Sequence, residues 1–270
     1  MEPTYYNRIL IVGSDAEAAG AVLLADAAKN HGLIPLFRLT TDPDVVDRIN
    51  DSQFVVYRIN PTTYKNFVKI LSRVNQLKAD KLRGVLDAFD KNTTATILIG
   101  GGIATPMSWS IGHDDVIEDF PVVIKIANSN QGKGVALLHS TEDFAAYSRE
   151  FPDEKIFLVQ EYIKESGASD KRIFVSGDRV VGAMRRTSTS DDFRANLHLG
   201  GTADAYDPTE QEKAMAIKAS QLFRLDFSGV DIIDSHRGPL VLEVNSSPGF
   251  AIGEVIGIDV AAEVIKDLIK

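Results

Sequence analysis

The sequence contains no cysteine. Disulfides, thiolate metal sites and a cysteine nucleophile are therefore excluded, which leaves oxygen and imidazole groups as the available chemistry. The chain also lacks an apolar run of the roughly 20 residues that span a membrane. Its N-terminus lacks the charged and apolar parts of a signal peptide. We therefore expect a cytoplasmic protein with no membrane partner.

Positive charge is scarce as well. The 29 lysines and arginines are outnumbered by 38 aspartates and glutamates, which gives a net charge of −9. Binding to nucleic-acid phosphates requires a basic surface, so we expect no nucleic-acid partner. With 270 residues and 44% hydrophobic content, the chain can bury a substantial core in one large domain or a few small ones.

The N-terminal region lacks the common dinucleotide motif. Residues 8–39 alternate strand, helix and strand, which is typical of a Rossmann-like parallel unit. Gly13 and Gly20 do not form the G-x-G-x-x-G fingerprint, so dinucleotide binding is weakly supported. Apolar residues at helical spacing predict a helical stretch over 62–89 with one buried stripe.

The loop 128–134 is rich in glycine and small polar residues but lacks the Walker A spacing. It joins two predicted strands, 121–127 and 135–138. The loop is therefore either a hairpin that folds over phosphates through its backbone N–H groups or a plain flexible hairpin. Lys125 lies within the apolar run of the first strand, where a lysine must reach the surface, be paired or point at an anion.

Residues 229–250 predict a β-hairpin, because two apolar-rich runs flank a Ser-His-Arg-Gly-Pro segment. A turn centred on Arg237 places Asp231 directly opposite Glu243, with Asn245 on the same face. The opposite face is then expected to carry Val230, Ile232, Leu242 and Val244.

Two facing carboxylates repel each other, so a positive charge must lie between Asp231 and Glu243. A hard divalent cation with oxygen ligands, Mg²⁺ or Mn²⁺, would satisfy both side chains. The alternative is an ordinary sheet edge with one carboxylate in solvent.

Three polar residues near a second predicted hairpin, 170–186, are candidates for anion binding: Arg186, Arg194 and Asn196. Arginine forks match carboxylate and phosphate oxygens bidentately, although surface ion pairs are the alternative. Residues 156–163 predict a strand whose backbone could hold an adenine ring. Lys91, at the start of a predicted helix, is by itself typical of a solvated surface lysine.

In this order the features resemble the ATP-grasp superfamily, and within it the RimK-like ATP-dependent carboxylate-amine ligases. The motifs that carry the resemblance are Asp90-Lys91, Gly102-Ile103 with Pro106, Val123-Ile-Lys125, Gln131-Gly-Lys-Gly-Val135, Val159-Gln-Glu-Tyr-Ile-Lys164, Asp170, residues 192–198, Gly200-Gly201 and the hairpin from Gly229 to Gly249. The resemblance implies an α/β (α+β) architecture, an ATP-grasp fold preceded by a small Rossmann-like domain, with units at 1–88, 89–165 and 166–270.

The resemblance also assigns roles to individual residues. Lysines would hold the nucleotide phosphates, the strand at 161–162 the adenine, and Asp170 the ribose side. The implied nucleotide-binding positions are Lys91, Lys125, Gln131, Gly132, Gly134, Glu161, Tyr162, Asp170, Arg194 and Asn196. Those that would contact the reacting groups are Arg186, Arg194 and Asn196, and the metal ligands would be Asp231, Glu243 and Asn245, holding two ions of Mg²⁺ or Mn²⁺.

The activity implied by the resemblance is amide formation from ATP, a carboxylate and an amine through an acyl phosphate. An amino acid such as glutamate would be added to a small molecule, a peptide or a protein C-terminus, and a homo-oligomer is a reasonable expectation. The group usually has a basic residue where this chain has Leu199, which leaves substrate handling open. The alternatives are an ATP-grasp kinase acting on a hydroxyl group and a non-catalytic nucleotide-binding regulator.

Overall fold

The computed structural model describes residues 7–129, 132–189, 193–194 and 200–270. The described chain begins with a parallel sheet of strand order β2-β1-β3. Its elements are β1 (Arg8–Gly13), α1 (Ala19–Asn30), β2 (Ile34–Leu39), α2 (Val45–Asp51) and β3 (Phe54–Tyr57). Residues Ile9 to Val12 of β1 are buried, as expected of a central parallel strand covered on both faces. This unit has the alternating parallel arrangement that the sequence predicts.

The helical stretch expected over 62–89 forms two helices, α3 (Pro61–Leu71) and α4 (Gln76–Phe89), with a short break between them. Asn75 caps the second helix by accepting a hydrogen bond from the backbone N–H of Lys78 at 3.1 Å. A capping side chain of this kind replaces the missing intrahelical partner and marks a new helix start. Helix α5 (Lys91–Gly100) follows, capped by Asp90.

Gly84 lets helix α4 lie against the end of a later helix, at Phe223. A Cβ at position 84 would lie 1.8 Å from the carbonyl oxygen of Phe223. We expect Gly84→Ala to lower the free energy of unfolding by about 1–3 kcal/mol, because backbone must move to relieve the overlap. Urea denaturation measures this.

Gly100 provides the matched control for that substitution. It lies at the end of α5, and a Cβ there would meet nothing within 4 Å. Gly100→Ala should leave stability unchanged or raise it by up to about 1 kcal/mol, through helix propensity alone. Equal losses in the two variants would show that the contact with Phe223 is unimportant.

A second, antiparallel sheet carries the glycine-rich hairpin. Its described strands run in the order β4-β7-β5-β6. They are β4 (Ser108–Ile111), β5 (Val122–Ile126), β6 (Val135–Leu138) and β7 (Phe157–Glu161), with helix α6 (Thr141–Glu150) between β6 and β7. Ile124, Phe144 and Phe157 belong to a hydrophobic cluster that is confined to this unit. We call this unit the hairpin subdomain.

The C-terminal part forms a third sheet, antiparallel, in which the described strands run β10-β9-β8-β11-β12. Its elements are β8 (Ser169–Ser176), β9 (Arg179–Thr187), β10 (Thr202–Tyr206), α7 (Glu210–Leu222), β11 (Phe227–Ser235), β12 (Gly238–Asn245), α8 (Ile252–Ile256) and α9 (Val260–Leu268). The hairpins predicted at 170–186 and 229–250 are present as β8–β9 and β11–β12, and the mixed α/β fold class is confirmed.

The hairpin β11–β12 keeps the predicted pairing of Asp231 with Glu243 but contains an irregularity beside it. Past Asp231 the register shifts, so that Ile232 pairs with Val241. A bulge of this kind places two residues opposite one and redirects the side chains. Val241 therefore joins the core beside Val230, whereas Leu242, which was expected there, packs against a separate small cluster.

The N-terminal unit and the C-terminal sheet share their hydrophobic cores. One cluster joins Val12 to Val230, and another joins Ile11 to Phe174. These shared cores fix the N-terminal unit against the C-terminal sheet, while the hairpin subdomain has its own cluster. Within the part of the chain that the structure describes, every helix is too short or too polar to cross a membrane.

Candidate functional site

A cavity of about 730 Å³ lies where the three units meet. Its lining includes Arg58 from the N-terminal unit, Lys125 from the hairpin subdomain, and Asp231 and Glu243 from the C-terminal sheet. The volume falls within the range of roughly 300–1,000 Å³ that is typical of small-molecule sites. Strand ends and loops from separate parts of the chain thus converge on one space.

One wall of this cavity is a row of charged side chains across the C-terminal sheet. Arg172 on β8, Asp231 on β11 and Glu243 on β12 are successive cross-strand neighbours, and Asp170 pairs with Arg186 on β9. We call these five residues the charged row. The sheet brings them together because residues two apart on one strand share a face.

Asp231 is the centre of the charged row. Its Oδ1 accepts a hydrogen bond from Nε of Arg172 at 2.7 Å, and its Oδ2 accepts from Nη2 of Arg172 at 2.7 Å and of Arg186 at 2.8 Å. Asp231 and Arg186 are 4% and 3% exposed. Burial alone would raise the pKa of Asp231, but the two guanidinium groups hold it well below its usual range.

Arg186 is held from its other side by Asp170. Its Nε and Nη2 donate to the two carboxylate oxygens at 2.6 and 2.8 Å. Burial raises the pKa of Asp170, and the neighbouring negative charge of Asp231 acts in the same direction. Arg186 is thus a buried, carboxylate-paired residue, and the alternative of a surface ion pair does not apply.

The repulsion predicted between Asp231 and Glu243 is relieved by protein side chains. Arg172 lies between them, with Nη2 2.7 Å from Oδ2 of Asp231 and 3.8 Å from Oε1 of Glu243. A metal ion is therefore not required to explain the pairing, and metal binding stays a prediction. The sequence reasoning missed Arg172, although its spacing from Asp170 places both on one face of a strand.

The donor set nonetheless fits a hard cation. Glu243 has a 38% exposed side chain, and its nearest described cation is 3.8 Å away. Oδ1 of Asn245 accepts one hydrogen bond, from the backbone N–H of Ser247 at 2.9 Å. Asp231 already accepts three hydrogen bonds, whereas a carboxylate offers about four acceptor sites. Among the described residues no three histidine or acidic side chains form a metal cage, so a metal would need the amide oxygen or ligand oxygens as well.

Both candidate phosphate lysines reach the cavity, and Lys91 is not a solvated surface lysine. Nζ of Lys91 donates to the carbonyl oxygen of Ser129 at 2.5 Å and to its hydroxyl at 3.1 Å. Nζ of Lys125 donates to Oε1 of Gln160 at 2.7 Å, and this lysine is 8% exposed. Burial lowers the pKa of both, that of Lys125 to about 8.

The end of β7 borders the cavity, where Glu161 and Tyr162 belong to the lining, and their adenine-binding role stays a prediction. The Glu161 carboxylate accepts from the backbone N–H of Met107 at 3.1 Å and from Nη2 of Arg237 at 2.6 Å. Its backbone N–H donates to the carbonyl oxygen of Met107 at 2.8 Å. The turn of the β11–β12 hairpin thus contacts this strand directly.

The glycine-rich hairpin also lines the cavity, through Ser129, Gly132 and Val135. Gly132 and Gly134 have positive φ angles of 75° and 60°, which favour glycine. Nη1 of Arg194 donates to the carbonyl oxygens of Gly132 at 2.8 Å and Val135 at 3.3 Å. Three residues singled out from the sequence, Gln131, Asn196 and Leu199, lie outside the described residues.

The chain is similar to known proteins in both sequence and fold. The sequence profile of the RimK-like ATP-grasp domain matches residues 88–268. The protein named "Probable alpha-L-glutamate ligase 2" from Hahella chejuensis is 41% identical over 191 residues, which are 67% of this chain and 62% of that protein. The chain therefore matches less than two thirds of the length of this curated relative.

Solved structures share the fold over nearly the whole chain. D-cycloserine synthetase DcsG superposes with a TM-score of 0.74 at 17% identity, covering 96% of this chain and 98% of that one. The ATP-grasp ligase PsnB, solved with a minimal precursor, Mg and ADP, gives 0.67 at 19% identity, with coverages of 97% and 96%. These structures share the fold of the chain, and the profile match over residues 88–268 shows that the chain belongs to the RimK-like ATP-grasp family.

Proposed function

We propose that the chain is an ATP-dependent carboxylate-amine ligase that forms an amide through an acyl phosphate and uses glutamate as the amino acid. The observation that carries the proposal is the charged row facing Lys91 and Lys125 in the cavity of a RimK-like chain. Glutamate is supported by the relatives' names, since several are called probable alpha-L-glutamate ligase. The acceptor carboxylate would belong to a small molecule, a peptide or a protein C-terminus.

Lys91 and Lys125 are assigned to the nucleotide phosphates. Within the described residues neither ammonium group is paired with a carboxylate, and each is held by neutral oxygens. A buried cation without a counter-ion is costly, and a phosphate would supply the missing charge. Glu161 and Tyr162, which both line the cavity, are the proposed adenine-binding positions. The ribose role of Asp170 stays a prediction, because both its oxygens face Arg186.

Asp231, Glu243 and Asn245 are the proposed ligands of Mg²⁺ or Mn²⁺, with two ions bound. Bound there, a metal would neutralise charge on the phosphate oxygens. Arg172 and Arg186 keep Asp231 ionised and oriented, because they hold its pKa below its usual range. The protein's own contribution is thus a fixed, preorganised set of charges around the reacting groups.

The proposed reaction has two steps. A substrate carboxylate oxygen attacks the γ-phosphorus of ATP, the bond to the β-phosphate bridging oxygen breaks, and ADP leaves. The amine nitrogen then attacks the acyl carbon, inorganic phosphate leaves with the bonding electrons, and the nitrogen loses a proton. Arg186, Arg194 and Asn196 are proposed to stabilise charge on the transferring oxygens. The hairpin at 128–134 would exclude water, which otherwise hydrolyses the acyl phosphate.

Product analysis tests the proposal. We expect purified protein with ATP, Mg²⁺, L-glutamate and a pool of carboxylate acceptors to release ADP and phosphate only when both carboxylate and amine are present. Mass spectrometry should detect a product heavier by one glutamyl residue, and hydroxylamine should trap the acyl group. A phosphorylated product without phosphate release would show a kinase instead. Metal-dependent ATP binding without turnover across the panel would contradict catalysis.

A further inference from the structure

The N-terminal unit contributes to the cavity lining an arginine, Arg58, that has no part in the proposed reaction. Arg58, immediately after β3, lines the cavity, and it precedes the segment 88–268 that matches the family profile. Nη1 of Arg58 donates to the carbonyl oxygen of Pro248 at 3.0 Å, and the guanidinium lies 5.4 Å from the ring centre of Phe250. Both partners are neutral.

Arg58 differs in this respect from two other arginines that line the cavity. Arg172 and Arg186 each form an ion pair with a carboxylate. In the described chain no acidic side chain lies within 4.0 Å of the Arg58 guanidinium. Asp15 also lines the cavity, but it accepts from the backbone N–H of Glu17 at 2.8 Å. Burial lowers the pKa of Arg58 to about 10, and no neighbouring acidic side chain offsets this effect.

The N-terminus of helix α1 is a second positively charged feature, and it lies beside Arg58. Helix α1 begins after Ala18 without a side-chain cap and without an acidic residue in its first turn. The N-terminus of a helix carries partial positive charge and unsatisfied N–H groups. A Cβ on Gly20, in that first turn, would lie 2.7 Å from Nη2 of Arg58. The guanidinium therefore lies directly against the positive end of the helix, an arrangement that an anion would stabilise.

This end of the cavity is close to the proposed reaction centre. Pro248, which binds Arg58, comes three residues after Asn245. An extended chain of that length spans at most about 10 Å. The polar pair formed by Asn60 and Ser14, whose Nδ2 and Oγ are 2.8 Å apart, also lines the cavity. One small molecule could therefore reach from the charged row to Arg58.

We propose that Arg58 and the first turn of α1 bind a substrate carboxylate that is not phosphorylated. The inference rests on the proposed function and deepens it, since it identifies a site for a carboxylate that is not activated. That group is either a carboxylate of the incoming amino acid or a second carboxylate of the acceptor. Arg58 is thus a substrate-binding residue contributed by the N-terminal unit, and it sets specificity for substrates that carry a carboxylate at this position.

Calorimetric binding tests this site independently of turnover. The probes are L-glutamate, glutarate and a glutamyl-glutamate dipeptide, each titrated into protein holding Mg²⁺ and a non-hydrolysable ATP analogue. We expect Arg58→Gln to weaken binding of the acidic probe by about 10- to 100-fold, the range of a charge-assisted hydrogen bond. ATP-analogue affinity should stay within about twofold of wild type, because Lys91 and Lys125 are the residues proposed to hold the phosphates.

Amide analogues distinguish the two sources of the carboxylate. L-glutamine and the α-amide of glutamate each lack one carboxylate of the amino acid. The analogue that lacks the group bound by Arg58 should bind wild type weakly and be insensitive to Arg58→Gln. If neither glutamate amide behaves so, and only the dipeptide responds to Arg58→Gln, the carboxylate belongs to the acceptor.

Two further variants separate binding from folding. Gly20→Ala keeps the charge of Arg58 but displaces its guanidinium, so it should reproduce the loss of affinity while the thermal midpoint is retained. Arg73→Gln removes an exposed arginine of the same unit that does not line the cavity, and it should bind like wild type. Equal affinity of all acidic probes for wild type and Arg58→Gln, or absence of their binding to wild type, overturns the inference. Failure of amide formation with these binding differences intact would contradict the proposed function alone.

Discussion

Replacing Asp231 by asparagine lowers the free energy of unfolding by about 3–5 kcal/mol, because Arg172 loses the carboxylate that it binds through two hydrogen bonds and Arg186 keeps only Asp170. Asp231 receives three hydrogen bonds from Arg172 and Arg186 and is 4% exposed. For a chain of this size, with roughly 2–4 °C per kcal/mol, the thermal midpoint should fall by about 10 °C. Turnover should fall by about 10³-fold or more, since the substitution also removes a proposed metal ligand. Calorimetry and product assays measure the two effects.

Glu243→Gln is the matched control for that experiment. Its side chain is 38% exposed and lies 3.8 Å from Arg172, so a stability change below about 1 kcal/mol is expected. Its loss of turnover should nevertheless resemble that of Asp231→Asn. Asp231→Asn should also lower the free energy of unfolding by less in a protein that carries Arg172→Met, since the effects of substitutions at contacting residues are not additive. Stability losses of equal size in Asp231→Asn and Glu243→Gln would contradict the role given to the arginines.

Part of the charged row could be predicted from the sequence. Alternation in a hairpin has period two, so the pairing of Asp231 with Glu243 follows from the turn position alone. The same reasoning required a positive charge between them. It did not identify Arg172, because that residue reaches Asp231 through the pairing of β8 with β11. Nothing in the local pattern of either strand specifies which distant strand will lie beside it.

Local irregularities of the backbone are a second reason why the sequence does not predict every contact. The register shift after Asp231 sends Leu242 away from the core and admits Val241. Both residues are apolar, so either placement satisfies the hydrophobic pattern and only backbone geometry decides. Helix α4 illustrates the same limit, since Asn75 can be an interior residue or a cap, and in the structure it caps.

Lysines and arginines are the hardest residues to place from sequence. Lys91 read alone is a solvated surface residue, yet its ammonium group contacts Ser129 beside the cavity. Arg58 carried no motif, and its setting depends on Pro248 and on the first turn of α1. The cost of an unpaired buried cation depends on what the whole fold brings near it. The cavity combines residues from all three units, so the roles of these side chains can be recognised only in the folded structure.

Affinity for ATP is expected to fall by about tenfold per pH unit above pH 8, because Lys125 must be protonated to pair with phosphate. Burial lowers the pKa of Lys125 from 10.5 to about 8 in the free protein, and bound phosphate would raise it again. Binding above pH 8 therefore takes up a proton. The unfolded chain binds more protons than the folded one between pH 8 and 10.5, so Lys125's contribution to stability rises with pH across this window. Titration calorimetry in buffers of different ionisation enthalpy measures the proton uptake.

Lys125→Met separates the lysine from other groups that titrate in this range. It should weaken ATP binding at pH 7 by about 10- to 100-fold, the loss of a charge-assisted contact. It should also flatten the dependence on pH above 8. Lys91, whose pKa burial also lowers, would leave a residual slope. Lys155→Met removes an exposed lysine of the same subdomain outside the cavity and should retain the wild-type profile. An unchanged slope in Lys125→Met would remove Lys125 from the phosphate site, because no other property of that side chain links proton uptake to nucleotide binding.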